Sequence, residues 1–192
     1  MRKAARQTGD VRGARRRRRG PSFAALQAGQ TAPDFSLPDE AGRAVSLAGA
    51  LAQGPVVLAF LDGRDRKEAE AQLHAAAECA APVGRTGGAL LAISSHHLLP
   101  PADAALTLLR DADSAVAIRY GLGRSATSGA RPATFVIDQT GMTVLSLTDA
   151  EASSGLAYMN VLPVLAALSR RASSRDPPML SRPKKGGRAP AA

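Results

Sequence analysis

The spacing of apolar residues changes several times along the chain, and each change predicts a structural element. Residues 55–61, PVVLAFL, form an unbroken apolar run of strand length, which is typical of a parallel strand buried on both faces. Residues 65–81 are rich in Ala, Glu, Lys and Gln, with apolar positions three and four apart, and this predicts an amphipathic helix. Those apolar positions are Ala69, Leu73, Ala76, Ala77 and Ala80. Gly84, Gly87 and Gly88 then predict the end of the helix.

A second strand of the same kind follows the helix. Residues 89–94, ALLAIS, are again continuously apolar. Parallel neighbouring strands need a crossover of this length, so we expect a right-handed strand–helix–strand unit. Upstream, residues 23–53 are irregular except for the alternating pair Val45 and Leu47 after a glycine turn, which predicts a short edge strand or hairpin.

The second half of the chain contains shorter signals. Two short helical patterns, at residues 104–109 and 114–120, follow a proline-broken loop. Residues 132–138 and 142–148 are β-rich and flank the turn sequence QTG, which predicts a hairpin. Residues 155–168 predict a closing helix that Pro163 kinks or restarts. The order of strand, helix, strand, short helices, hairpin and helix predicts the α/β fold class.

Charge divides the chain into three parts. The formal net charge of +9 is made up of +8 in residues 1–20, −5 in the body and +6 in residues 170–192. Both ends are rich in Arg, Gly, Pro and Ser and poor in large apolar residues, so we expect disordered basic tails at 1–22 and 170–192 around one domain at 23–169. Such tails could neutralise phosphates and bind nucleic acid weakly, although they carry no aromatic side chains on which bases could stack.

The sequence also limits the expected location. No apolar run of signal length follows the N-terminal arginines, so neither a secretory nor a twin-arginine signal is expected. No segment approaches the roughly 20 apolar residues of a membrane span. The single cysteine, Cys79, allows no internal disulfide, so redox arguments leave the compartment undetermined and the cytoplasm is expected by default.

Several phrases, in order, resemble one family. AGQTAPDFSLPDEAGRAVSL, PVVLAFL, LLRDADSAVAIRYGL and PATFVID are similar to motifs of the alkyl hydroperoxide reductase and thiol-specific antioxidant family, the peroxiredoxins. The likeness runs from about Leu26 to about Leu168. It implies a thioredoxin-like fold with a central mixed sheet flanked by helices. It also implies antioxidant oxidoreductase chemistry, in which a cysteine thiolate at the first turn of the helix after the central strand attacks peroxide.

The resemblance places four residues at the family's functional positions. An ungapped match puts Arg66 where the family carries its peroxidatic cysteine and Ala69 where some members carry a second thiol. Gly63 stands at the position of a threonine, and Pro132 at the position of an arginine, with Arg131 one step out of register. In related proteins with a proline there, the preceding peptide bond is cis, so a cis bond is expected between Arg131 and Pro132.

These departures predict a lapsed active site. Without a sulfur nucleophile there is no sulfenic acid intermediate and no peroxidase cycle, so a degenerate protein with a binding or redox-regulatory role is expected. Arg66 is interpreted either as a solvated surface side chain or as a contact for an anion or carboxylate at the helix N-terminus. The corresponding partners are an unidentified protein or an anionic small molecule, and family membership favours a homodimer.

The competing interpretation, retained thiol chemistry, depends on Cys79. It lies near the far end of the helix beside Glu78, where the helix dipole and that carboxylate both disfavour a thiolate. An inert, half-buried thiol is the first interpretation. The alternatives are a surface thiol that cross-links two copies or is oxidised, and an active hydroperoxide-reducing enzyme that uses Cys79.

The remaining candidate sites lack the required patterns. His74, His96 and His97 have no metal-ligand spacing with nearby carboxylates, and Ser94 and Ser95 belong to no nucleophile elbow or triad. The Gly-containing sequence RYGLGRSATSGARP follows a helical patch instead of preceding one, which argues against dinucleotide binding. We therefore expect neither a metal nor a cofactor.

Overall fold

Two segments of the chain are described by the structure, a computed structural model: residues 24–148 and 156–173. The strands are β1 (Ser36–Pro38), β2 (Ala44–Ser46), β3 (Val56–Phe60), β4 (Ala89–Ser94), β5 (Thr107–Arg110), β6 (Ala133–Ile137) and β7 (Thr143–Thr148). The helices are α1 (Leu47–Leu51), α2 (Arg66–Arg85), α3 (Ala115–Arg119) and α4 (Leu156–Ser173), with a 3-10 turn at Ala126–Ser128. Of the expected tails at 1–22 and 170–192, residues 1–22 and 174–192 lie outside the described residues, whereas residues 170–173 form the end of α4.

A mixed five-stranded sheet forms the centre of the domain, in the order β5-β4-β3-β6-β7. β3 pairs in parallel with β4, and β4 in parallel with β5, whereas β6 is antiparallel to both β3 and β7. β1 and β2 form a separate antiparallel hairpin. The predicted central strand, the strand–helix–strand unit and the 132–148 hairpin are all confirmed.

Helices cover both faces of the sheet. Val56, Leu58 and Phe60 pack with residues of α1 and α3, and Tyr120 and Phe135 join them in an aromatic cluster. On the opposite face, Val57 packs with residues of α2 and α4. All five residues of β3 are buried, because alternate side chains enter the two layers.

Helix α2 extends beyond the predicted end at residue 81 and finishes at Arg85. Pro82 lies inside it and cannot donate a helical hydrogen bond. Val83 is fully buried against the sheet in the same cluster as Val57 and Leu90, so tertiary packing favours continuing the helix through the proline. The closing helix is likewise longer than predicted, since α4 ends at Ser173 instead of residue 168.

The helical prediction at residues 104–109 is wrong, and the one at 114–120 is confirmed by α3. Residues 107–110 are strand β5, with Leu108 opposite Ala92 of β4. Without β5, β4 would be an unpaired edge strand, and the hydrogen bonds of strand pairing outweigh the weak preference of a short helical pattern.

In the entry segment the hairpin is confirmed, but Leu47 begins α1 because the Ser46 side chain accepts a hydrogen bond from Gly49 N at 3.0 Å. None of the described helices is long and apolar enough to cross a bilayer.

Candidate functional site

The carboxyl end of β3 leads into a turn that Asp62 organises. Its side chain, in a residue that is only 6% exposed, accepts hydrogen bonds from Arg64 N at 2.7 Å and Asp65 N at 3.3 Å. The Asp62 N–H donates to Oε1 of the buried Gln72 on α2 at 2.8 Å. Hydrogen bonds therefore hold the turn in one conformation and connect it to α2.

Asp62 also forms a forked ion pair with Arg64. Nε of Arg64 donates to Oδ1 at 3.1 Å and Nη2 donates to Oδ2 at 2.6 Å. Burial raises the pKa of Asp62, but the side-chain and backbone hydrogen bonds and the charge of Arg64 outweigh it, so the pKa lies below 3.8. The carboxylate is thus ionised at neutral pH, and the guanidinium has a fixed position.

Arg66, and not Cys79, is the first residue of α2. Asp65 caps the helix by accepting from Lys67 N at 2.8 Å and Glu68 N at 3.4 Å. The Arg66 side chain is 59% exposed, and its Nε donates to Oε1 of Glu70 at 2.8 Å. Arg66 thus forms a solvent-exposed ion pair along the helix surface, as expected for i, i+4 partners.

The backbone of Gly63 contacts the backbone of the loop that precedes β6. Its N–H donates to Ala130 O at 2.9 Å, and a Cβ at position 63 would overlap the backbone nitrogen of Ala130 and lie 3.1 Å from Ser95 Oγ. Gly129 makes the reciprocal contact, since a Cβ there would lie 2.7 Å from both Gly63 O and Arg64 Cγ. A threonine at position 63, as the family pattern has, would require this loop to move away.

Pro132 lies on the same loop, and the expected cis bond is absent. No cis peptide occurs in the described residues, so the Arg131–Pro132 bond is trans. Arg131 N donates to Leu122 O at 2.8 Å, and Arg131 Nη2 donates to Gly121 O at 3.2 Å. The β6 register places Ala133 opposite Phe60, so Pro132 and the end of β3 occupy one edge of the sheet.

Cys79 lies away from this edge. It lies thirteen positions after Arg66 in α2, a rise of about 20 Å. It is half-buried against the cluster that contains Val57 and Leu90, and burial followed by the charge of Glu78 raises the pKa of its thiol above 9.0. Ala69 is fully buried, so a thiol at that position would enter the core.

The other residues considered from sequence do not form a reactive cluster. His74 and His97 are exposed, His96 is half-buried, and Ser94 Oγ accepts a hydrogen bond from His96 N at 3.0 Å. Within the two described segments no group of three or more His, Cys, Asp and Glu residues could hold a metal ion. These side chains therefore form no ligand set for a metal ion within the described segments.

A groove opens beside the Gly63–Gly129 contact. Its volume is about 440 Å³, and it is lined by Arg64, Gly121, Leu122, Gly123, Arg124, Ser128, Gly129 and Arg131. The turn after β3 contributes Arg64, and the loop before β6 contributes both Arg124 and Arg131. Sequence reasoning did not single out Arg64 or Arg124, because only folding brings them together, although the D-x-R spacing of Asp62 and Arg64 was a readable local signal.

Comparison with known proteins identifies the family. Residues 28–145 match the model of the AhpC/TSA family. This chain belongs to the AhpC/TSA family. The match covers more than half of the chain and includes the turn, the start of α2 and the loop before β6. No functionally curated protein matches the chain by sequence.

Solved structures show that this AhpC/TSA protein has the thioredoxin-like fold of the peroxiredoxins. Peroxidoxin BcpB from Mycobacterium tuberculosis is 23% identical with a TM-score of 0.60, over 76% of this chain and 97% of that one. Thioredoxin peroxidase I from Plasmodium yoelii is 19% identical with a TM-score of 0.64, over 83% and 99%. Peroxiredoxin Q from Xanthomonas campestris is 16% identical with a TM-score of 0.60, over 74% and 99%.

Proposed function

We propose that this AhpC/TSA protein is a degenerate member without peroxidase activity that serves a binding or redox-regulatory role. The observation that carries the proposal is the identity of the first residue of α2, which is Arg66 paired with Glu70. In the motif pattern this is the position of the attacking thiolate. A guanidinium cannot supply the electron pair that breaks the peroxide O–O bond, and so no sulfenic acid forms there.

The surroundings of this position support the same conclusion. Gly63 carries no hydroxyl, and its backbone closes directly onto Ala130 and Gly129. The arginine of the family pattern is replaced by Pro132, and Arg131 instead holds Gly121 O. The turn is well ordered by Asp62 and Arg64, so the site is rebuilt with a different set of internal contacts.

Cys79 is the alternative nucleophile, and its environment disfavours that role. A thiolate is stabilised at a helix N-terminus or beside a cation, whereas Cys79 is near the C-terminal end of α2 and beside Glu78. Its raised pKa leaves the thiol protonated at neutral pH. A disulfide of a partner protein could still exchange with this thiol, forming a mixed disulfide and releasing the partner's other sulfur as a thiol, which is the redox-regulatory form of the proposal.

Peroxide consumption tests the proposal directly. The unmutated protein, Cys79→Ala, and Arg66→Cys combined with Cys79→Ala are supplied with hydrogen peroxide and a thioredoxin or glutathione reducing system. We expect no turnover above buffer from the first two. In the third, we expect a sulfenic acid that a dimedone probe detects, because the new thiol lies at the helix N-terminus. Robust turnover by the unmutated protein that Cys79→Ala abolishes would establish the active-enzyme alternative and reject the proposal.

The proposal extends to location and assembly. A chain with one cysteine has no internal disulfide, in keeping with a cytoplasmic protein, and fractionation of cells tests this. One matched structure, Prx1a of Plasmodium yoelii modified at its N-terminus, is described as an artifactual octamer. For this chain we propose a homodimer, which light scattering of the purified protein tests; a single monomeric species would reject it.

A further inference from the structure

We propose that the C-terminal segment of this chain docks, through residues 177–180, in a groove at the end of α4. This second groove, called the α4 groove here, has a volume of about 960 Å³ and lies at the edge of the sheet opposite Gly129. Four parts of the chain form its walls: residues 53–55 before β3, residues 86–87 after α2, residues 138–140 between β6 and β7, and residues 167–171 of α4.

The C-terminal segment leaves the domain at the rim of the α4 groove. α4 ends at Ser173, two positions after Arg171, which lines the groove. Residues 174–192 follow. Six extended residues span at most about 20 Å, so residues 177–180 can reach the groove without unwinding α4. A tethered segment also has a local concentration on the order of millimolar, so modest contacts are enough to keep it bound.

The N-terminal segment starts at the other edge of the sheet. The first described residue, Ala24, lies against Gly121, since a Cβ on Gly121 would overlap the carbonyl oxygen of Ala24. Gly121 lines the smaller groove, beside Gly129. Of the two chain ends outside the described residues, the C-terminal one therefore begins at the α4 groove.

The walls of the α4 groove are held in place by contacts within the domain. Ser169 Oγ donates a hydrogen bond to Thr86 O, which joins the last turns of α4 to the end of α2. A Cβ on Gly54 would overlap the carbonyl oxygen of Gly87, so the turn before β3 and the turn after α2 are in direct contact. A groove whose walls are already ordered loses little conformational entropy when a segment binds.

Residues 177–180, Pro-Pro-Met-Leu, have a composition suited to docking. Met179 and Leu180 are the two large apolar residues of 174–192. The two prolines before them cannot continue a helix and favour an extended backbone, which has few alternative conformations to lose on binding. Burying the two apolar side chains against the groove removes them from water, which is favourable. The groove offers half-buried apolar surface from Pro55, Ala167 and Leu168.

The charges of the segment and of the groove are complementary. The groove carries Asp138 on the β6–β7 turn and Arg170 and Arg171 on α4. Arg175 and Asp176 lie between the end of α4 and the apolar residues. Each of these two charges therefore has a group of the opposite sign on the groove wall. Exposed pairs of this kind contribute little to affinity, but they disfavour other registers of the segment.

Backbone amide relaxation of the full chain, measured by nuclear magnetic resonance, tests the inference. We expect order parameters at Met179 and Leu180 close to the value of about 0.85 that is typical of rigid backbone. Residues after 181 should keep the disorder expected from their composition, with order parameters below about 0.6 at Gly186 and Gly187.

Met179→Ser combined with Leu180→Ser removes the apolar contacts. The order parameters at positions 179 and 180 should then fall below about 0.6, and the amide signals of Gly54, Gly87 and Thr140 on the groove walls should shift. Lys184→Ser combined with Lys185→Ser is the matched control. It changes two residues of the same segment beyond the docked part, and it should leave the order parameters and the groove signals unchanged.

Two results would overturn the inference: order parameters below about 0.6 at Met179 and Leu180 in the unmutated chain, or equal effects of the two serine pairs on the groove signals. Groove signals that shift with protein concentration would identify a second copy as the occupant and would also overturn docking within one chain. The inference goes beyond the proposed function and involves neither Arg66 nor Cys79. Peroxide turnover would therefore reject the proposed function and leave this inference intact.

Discussion

Gly63 and Gly129 meet backbone to backbone where the turn after β3 touches the loop before β6. A Cβ on Gly129 would lie 2.7 Å from Gly63 O, and the N–H of Gly63 donates to the neighbouring Ala130 O at 2.9 Å. This contact joins the two segments that carry the family's active-site positions. Arg64 and Arg131 lie along the adjoining groove.

Gly129→Ala tests how much stability this contact contributes. Gly129 has φ +65° and ψ 153°, a region that only glycine occupies readily, and the added methyl group would also meet Gly63. We expect the substitution to lower the free energy of unfolding by about 1–3 kcal/mol from backbone strain alone. Urea denaturation at neutral pH provides the measurement.

Gly84→Ala is the matched control for that experiment. Gly84 lies inside α2 with open space at the position of a Cβ, so alanine should raise the free energy of unfolding by about 0.5–1 kcal/mol through helix propensity. Equal effects of the two substitutions would show that the Gly63–Gly129 contact is not tight.

Asp62→Asn should remove a pH-dependent part of the stability. The pKa of Asp62 is lower in the folded protein than the ordinary 3.8. Its contribution is therefore fully present above the unfolded pKa and is lost as pH falls through the lower folded value. We expect the asparagine variant to be about 1–2 kcal/mol less stable at pH 7, since it loses the charged hydrogen bonds with Arg64 but keeps an oxygen acceptor for the turn.

The measurement is denaturation of both proteins between pH 2 and pH 7. The difference in free energy of unfolding between the two proteins should become smaller only below about pH 4, because the Asp62 carboxylate is protonated there. A stability difference that stays constant down to pH 2 would contradict an ionised Asp62–Arg64 pair in the folded protein.

Thiol reactivity distinguishes the two ends of α2. Burial and the charge of Glu78 raise the pKa of Cys79 above 9.0, so its alkylation by iodoacetamide should be slow at pH 7 and reach half of its maximal rate above pH 9. The comparison is Arg66→Cys combined with Cys79→Ser, which moves the single thiol to the helix N-terminus. Its pH midpoint should be lower than that of Cys79, because the dipole and unpaired N–H groups favour a thiolate there. Equal midpoints would contradict the electrostatic argument.

Arg66→Gln should have little effect on stability. The pair with Glu70 is exposed on both sides, at 59% and 47%, and such helix pairs contribute about 0.3–0.5 kcal/mol. Removing a cation from the helix N-terminus offsets part of that loss. We expect a change within about 0.5 kcal/mol in the free energy of unfolding, measured by urea denaturation. A loss of more than about 1 kcal/mol would contradict a solvent-exposed, weakly contributing pair.

The sequence by itself determined the elements whose pattern is strong. The unbroken apolar run of β3, the small apolar face of α2 and the QTG hairpin are local signals, and each appears where the pattern predicts it. The family motifs placed Arg66 at the start of α2, and the structure has it there. Local signals failed where pairing or burial over long separations decided the outcome, as at strand β5 and at the extension of α2 through Pro82.

Only the tertiary structure decided how the edge of the sheet is built. Arg64 lies 60 residues before Arg124, and no periodic pattern connects it with Arg124 and Arg131, which are seven residues apart on one loop. They line one groove because β3 and β6 are neighbours and because two glycines without side chains let the adjoining loops touch. Steric fit between distant backbone segments depends on the whole fold, which explains why the turn, the loop and their shared groove could not be predicted from residue types alone.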